Sequence, residues 1–173
     1  MAEGHEARLQ DMKDRLEGLL GQYAHPVEKR IAFGNIRKEY STWGTGENAT
    51  TNIAIVYETP GGSTAQINIA FDHVAGAFTY LDRGLEARKV SESVDEVMGM
   101  IEEEVRAIPA KRMKLLREQI RRWTGEGASQ RQVFGEMNKL LQSEFIGGKI
   151  TNSELRNGIR YAIELRREHE EAP

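Results

Sequence analysis

The stretch from Thr51 to Leu81 limits what this chain can fold into more than any other. Ile53, Ile55 and Tyr57 alternate with Asn52, Ala54 and Glu58, the period of a strand with unlike faces. Thr59-Pro60-Gly61-Gly62-Ser63 follows, where proline presets φ for a turn and glycine accepts a positive φ. Ala65, Ile67, Ile69 and Phe71 then alternate with Gln66, Asn68 and Asp72. After Asp72-His73-Val74-Ala75-Gly76 comes Ala77-Phe78-Thr79-Tyr80-Leu81. Three runs joined by two breaks read as an antiparallel meander. Ile55, Ile67, Ile69 and Phe78 are its expected core, and Asn52, Gln66, Asn68 and Asp72 make a polar second face.

Helical periodicity flanks this meander. Leu9, Met12, Leu16, Leu19 and Leu20 form one stripe over Glu6 to Leu20, and Pro26 prevents its continuation. Glu28 to Trp43 reads as a first strand with a bulge at Gly34-Asn35, with a short helix from Pro26 as the competing reading. Ser93-Val94-Asp95-Glu96 is a capping box that opens a helix. Val94, Val97, Met98, Ile101, Val105 and Ile108 are its apolar stripe. Glu102, Glu103 and Glu104 fan out by about 100° each, so they read as a solvated face and not as one metal site.

Pro109 marks a change in both pattern and charge. Residues 1–109 hold 11 Lys and Arg against 18 Asp and Glu, a net of −7; residues 110–173 hold 13 against 9, a net of +4. Ala110 to Trp123 reads as a helix buried through Met113, Leu116, Ile120 and Trp123. It carries Lys111, Arg112, Lys114, Arg117, Arg121 and Arg122 against Glu118 alone. A face of this kind is either solvated, docked on the acidic half, or open to phosphates. Lys111, Lys114, Arg117, Arg121 and Arg122 are therefore candidate nucleic-acid contacts. Lys114, Arg117 and Arg121 share one row, flanked by Lys111 and Arg122.

Gly125 and Gly127 break the chain, and Ser129-Gln130-Arg131-Gln132 reads as another capping box. Val133, Phe134, Met137, Leu140, Leu141 and Phe145 form an apolar face wider than one neighbouring helix readily covers. Val133, Phe134, Met137, Leu141 and Phe145 are thus candidate protein-interface residues, with a homodimer as the simplest outcome. Thr151-Asn152-Ser153-Glu154 caps a last helix with Leu155, Ile159, Ala162 and Ile163 on its stripe. Used as a recognition helix, it would offer Asn152, Arg156 and Arg160 outward.

Several chemistries find no support in the sequence. Without cysteine there are no thiolate metal sites, disulfides or cysteine nucleophiles. His5, His25, His73 and His169 fall one per segment, with no metal-binding spacing. Gly44-x-Gly46-x-x-Ala49 loosely matches a dinucleotide fingerprint, but a strand follows it where a helix is required. Glu58 and Asp72 are the remaining acid/base candidates, if the hairpin brings them together. Met1 to Gly21 is charged and amphipathic, so it reads as neither a signal peptide nor a membrane span.

These readings combine into an α+β fold. A four-stranded antiparallel sheet carries an N-terminal helix and a following helix on one face, over residues 1–109. A C-terminal helical subdomain of about three helices occupies residues 110–173. The expected function is that of a cytoplasmic, non-catalytic protein-interaction module that self-associates or binds a protein partner. No cofactor, metal or membrane is expected. The alternatives are a nucleic-acid-binding protein using the basic helix 111–122 and a small enzyme with a sheet-face pocket.

Overall fold

The computed structural model describes residues 2–45, 48–81, 89–124 and 129–171. The alternating runs form a meander of β1 (Arg37–Trp43), β2 (Thr50–Glu58), β3 (Thr64–Asp72), β4 (Ala77–Leu81) and β5 (Lys89–Ser91), each antiparallel to the one before. The register sets Tyr40, Ile53, Ile69 and Tyr80 in one row, and Thr42, Thr51, Phe71, Phe78 and Ser91 in another. From β2 to β4 this face is buried together with α1 (Ala2–Gly21) and α3 (Val94–Arg106), through Leu9, Met12, Leu16, Val97, Met98 and Ile101, while Tyr40 and Thr42 on edge strand β1 stay exposed. All four expected core residues of the meander are buried. Among the described residues no helix is long and apolar enough to cross a membrane.

The fold is α+β as expected, with two corrections. Among the described residues the sheet has five strands, not four: β5 is only three residues long, with Val90 exposed and Ser91 turned inward, too brief to show a period. The run from Glu28 to Trp43 is not one bulged strand. Val27–Ala32 is a short helix, α2, and β1 begins only at Arg37. Between them Gly34 (φ 66°) and Asn35 (φ 51°) take left-handed conformations that reverse the chain. A Cβ at Gly34 would stand 2.3 Å from the Glu58 carbonyl oxygen, so only glycine fits against the end of β2.

The C-terminal helices α4 (Ile108–Thr124), α5 (Gln130–Ile146) and α6 (Asn152–Glu171) enclose a second core of Leu116, Ile120, Met137, Leu141, Ile150, Ala162 and Leu165. The break before α4 falls at Ala107, and Pro109 sits in the first turn of α4, where its missing N–H costs nothing. The glycine break at Gly125 and Gly127 lies outside the described residues. Three contacts fix the direction of packing. Arg112 meets Glu154, Leu116 abuts Gly158, and Arg117 lies over Tyr161, so α4 and α6 run parallel.

Besides Ile108, the first residue of α4 and part of the sheet's own core, a polar side chain joins the bundle to the sheet. Arg112, counted in sequence with the basic face, is 0% exposed. Its Nη1 donates to the carbonyls of Ile31 (2.5 Å) and Ala32 (3.0 Å) in the last turn of α2, and to Glu154 Oε1 (3.0 Å). Its Nε donates to the Glu58 carbonyl (3.1 Å), and its Nη2 to the Lys149 carbonyl. Buried carbonyls at element ends need donors, and one guanidinium serves four of them from α2, β2 and the turn before α6. Burial lowers the Arg112 pKa and raises that of Glu154, and in each case the partner's charge opposes the shift. Desolvation is the larger effect on both, so the pair fixes geometry more than it adds stability. Glu154 Oε2 is buried and has no hydrogen-bond partner among the described residues.

Candidate nucleic-acid interface

The cations of α4 have three different fates. Arg112 is buried in the joint. Lys111 donates to Glu104 Oε2 (2.7 Å), so part of the acidic run does neutralise the basic helix. Lys114, Arg117, Arg121 and Arg122 are exposed, and among the described residues no carboxylate lies within ion-pair distance of them. Lys114, Arg117 and Arg121 stand on one side of α4 by their spacing, beside the buried stripe of Leu116 and Ile120.

Because α4 and α6 run parallel with Gly158 against Leu116 and Ile120, their flanking residues face one another. A Cβ at Gly158 would meet Leu141 at 3.2 Å and Leu116 and Ile120 at 3.5 Å, which leaves no room for a bulkier residue between the helices. Above this crossing Arg117, Asn157, Arg160, Tyr161 and Glu164 line a groove of about 350 Å³. The Arg117 guanidinium carbon lies 6.0 Å from the Tyr161 ring centroid, at the outer limit of a cation–π contact. Arg160, exposed on α6, brings a second cation to the groove. The C-terminal helix and the basic helix, two separate signals in the sequence, thus meet in one place. Tyr161 and Asn157 escaped the sequence reading: their contribution depends on which side of α6 faces α4, which no single-helix period reveals.

The remaining candidates are distributed differently. Asn152 and Arg156 are exposed on α6. Met137 and Leu141 are buried inside the bundle, with Val133 and Phe134 half-buried against the same core. α4 and α6 close over Met137 and Leu141, while Val133 and Phe134 keep part of their surface outside the core. What remains outside is Phe145 with Leu140, and Ile146 at 84% exposure. Asn52, Gln66 and Asn68 are half-buried on the second sheet face. Asp72 is taken up by its own turn, accepting from the Val74 and Ala75 amides at 2.8 and 3.2 Å.

The register separates Glu58 from Asp72. Asp72 pairs with Thr50 and Glu58 with Thr64, at opposite ends of the hairpin and about 27 Å apart at strand rise, so they form no acid/base pair. A different constellation is present. His73 Nε2 lies 2.7 Å from Thr51 Oγ1, and His73 Nδ1 lies 2.9 Å from Glu6 Oε1. This has the connectivity of a nucleophile, base and orienting acid. Thr51, however, is 2% exposed, and its hydroxyl is also 3.1 Å from Thr42 Oγ1. A substrate carbonyl cannot reach it, and the network ties α1 to the sheet. Among the described residues no group of His, Asp and Glu side chains is placed to hold a metal ion. The Gly44-x-Gly46 loop lies partly outside the described residues.

No protein-family model, no curated protein and no solved structure matches the chain. The functional reading therefore rests on the groove and its charge.

Proposed function

We propose that the protein is a non-catalytic nucleic-acid-binding module whose contact surface is the α4–α6 face. One observation carries the reading: Arg117 on α4 and Arg160 on α6 line one groove, Lys114 and Arg121 are exposed on the same side of α4, and among the described residues no carboxylate, Glu164 of the groove included, is within ion-pair distance of these four cations. The row on α4 follows a phosphate backbone, and the bundle gives it a rigid base. Four phosphate contacts imply a salt slope of about −3 on a single strand, or about 50-fold weaker binding at 200 mM salt than at 50 mM.

The test is a fluorescence-anisotropy titration of labelled oligonucleotides at those two salt concentrations. Lys114→Glu combined with Arg121→Glu should abolish binding while leaving the unfolding midpoint in place, because both side chains are exposed. An absence of binding at low salt, or binding indifferent to the double charge reversal, overturns the proposal.

Self-association is the second reading. It is favoured by Ile146, Phe145 and Leu140, large apolar side chains left outside on α5. Sedimentation of the native chain and of Ile146→Ser decides it: a dimer that the substitution dissociates supports it, and a monomer at high concentration removes it.

A further inference from the structure

Resting on the nucleic-acid reading above, we infer that the α4–α6 groove is a seat for one unpaired base, so the protein binds single strands in preference to duplex. The groove is lined by more than charge. A site made only for phosphate gains nothing from a carboxylate, yet Glu164 lines the groove beside Arg117 and Arg160. Glu164 repels a phosphate, but it can accept from the N–H groups on a base edge. Asn157 offers both a donor and an acceptor, the complement of a Watson–Crick edge.

Tyr161 and Arg117 supply the stacking surface. A guanidinium held near a tyrosine ring presents a weakly hydrated plane on which a base can lie, and every base has a face to offer it. The groove, at about 350 Å³, falls at the small end of ligand sites and suits one base with its sugar. Lys114 and Arg121 then flank the seat, where the phosphates on either side of the unpaired nucleotide pass along α4. A base in a duplex keeps its Watson–Crick edge paired and its faces stacked, so it cannot enter. A duplex would meet the cationic row alone.

The experiment compares three probes against the full-length protein at low salt: oligo(dT) of roughly ten nucleotides, a duplex with the same number of phosphates, and inorganic polyphosphate of similar charge. Two substitutions separate stacking from charge. Arg117→Lys keeps the charge and removes the plane. Tyr161→Leu removes the ring but keeps an apolar side chain against the bundle core, and thermal unfolding checks that it remains folded. The expected result is single-strand binding several-fold tighter than duplex or polyphosphate binding. Each substitution should lower single-strand affinity about tenfold and change polyphosphate affinity less than twofold. Equal affinity for all three probes, or single-strand affinity unmoved by Arg117→Lys, overturns the base seat while leaving polyanion binding intact. Failure of all three probes to bind removes the nucleic-acid reading itself.

Discussion

The sheet unit and the helical bundle are held together by different means. The sheet unit buries an unbroken apolar face of Ile53, Ile55, Ile69, Phe71 and Phe78 under α1 and α3, with the Thr51–His73–Glu6 network as a polar tie at its edge. The bundle has an apolar core of its own, but it meets the sheet through a buried guanidinium. Arg112 collects carbonyls from Ile31, Ala32, Glu58 and Lys149 and pairs with Glu154. Apolar contact is tolerant of small shifts. A fork of five directed donors is not. The sheet can therefore be repacked without losing its identity, whereas the bundle, besides the apolar contact of Ile108, is seated by directed bonds that tolerate little displacement.

The largest effect should come from breaking that joint. Arg112→Ala removes the charge that opposes the burial shift on Glu154, leaves that buried carboxyl without its ion-pair partner, and orphans four carbonyls. It should cost about 3–5 kcal/mol, read from urea unfolding. Arg112→Met with Glu154→Leu removes the stranded carboxyl and should recover part of the loss. The part not recovered measures the carbonyls, which no apolar side chain can serve. Full recovery by the double variant would show that the joint is only an ion pair, and the contrast with the sheet unit would disappear.

A smaller effect follows from pH. Burial holds the Glu154 carboxyl above its usual range in the folded protein, with Arg112 pulling the other way. Folding thus favours the protonated form. The stability this group contributes is fully present below the unfolded carboxyl value of about 4.3, and it is lost as pH rises through the raised folded value. Glu154→Gln is neutral throughout, so its stability relative to the native chain should increase as pH rises across that window. Glu96 is held below its usual range by Lys89 first and Ser91 next; it loses its contribution as pH falls, but it does so in both proteins and cancels in the difference. A gap between the two proteins that stays constant from about pH 4 to 8 would show that Glu154 titrates as an ordinary surface carboxyl.

The same contrast explains which parts of the structure were legible in the sequence. Alternation from Thr51 to Leu81 reports burial directly, because a strand's period of two matches its two faces. The stripes of α1 and α3 report it for the same reason. The signals that misled are those in which a tertiary partner took a side chain away from its local role. Glu154 stands three residues after Thr151, as a capping box requires. Its amide does donate to the Thr151 hydroxyl oxygen at 3.1 Å, but its carboxylate turns to Arg112. Arg112 sits in a basic run whose composition gives no sign that it is buried. The groove was half legible: its cations stood out by composition, while Tyr161 and Asn157 joined them only through the parallel packing of α4 and α6. Glu28 to Trp43 failed as a strand because Gly34 and Asn35 reverse the chain, and Gly-Asn fits a bulge as well as a reversal.

The smallest effect sharpens the comparison at two helix starts that look alike in sequence. Ser93 and Ser129 both precede a residue at the third following position suited to a capping box. At α3 the Glu96 amide donates to Ser93 Oγ at 3.2 Å. The reciprocal arm is relayed: the Ser93 amide donates to Ser91 Oγ (3.0 Å), and that hydroxyl donates to Glu96 Oε2 (2.6 Å). At α5 the Ser129 side chain makes no capping bond, although its carbonyl accepts from the Val133 amide. Ser93→Ala should therefore cost about 1 kcal/mol, the ordinary worth of an N-cap. Ser129→Ala should stay within about 0.5 kcal/mol, like a surface substitution. Paired unfolding curves read both. Equal losses would mean that α5 is capped in solution as firmly as α3, and that the two units do not differ in how their helices begin.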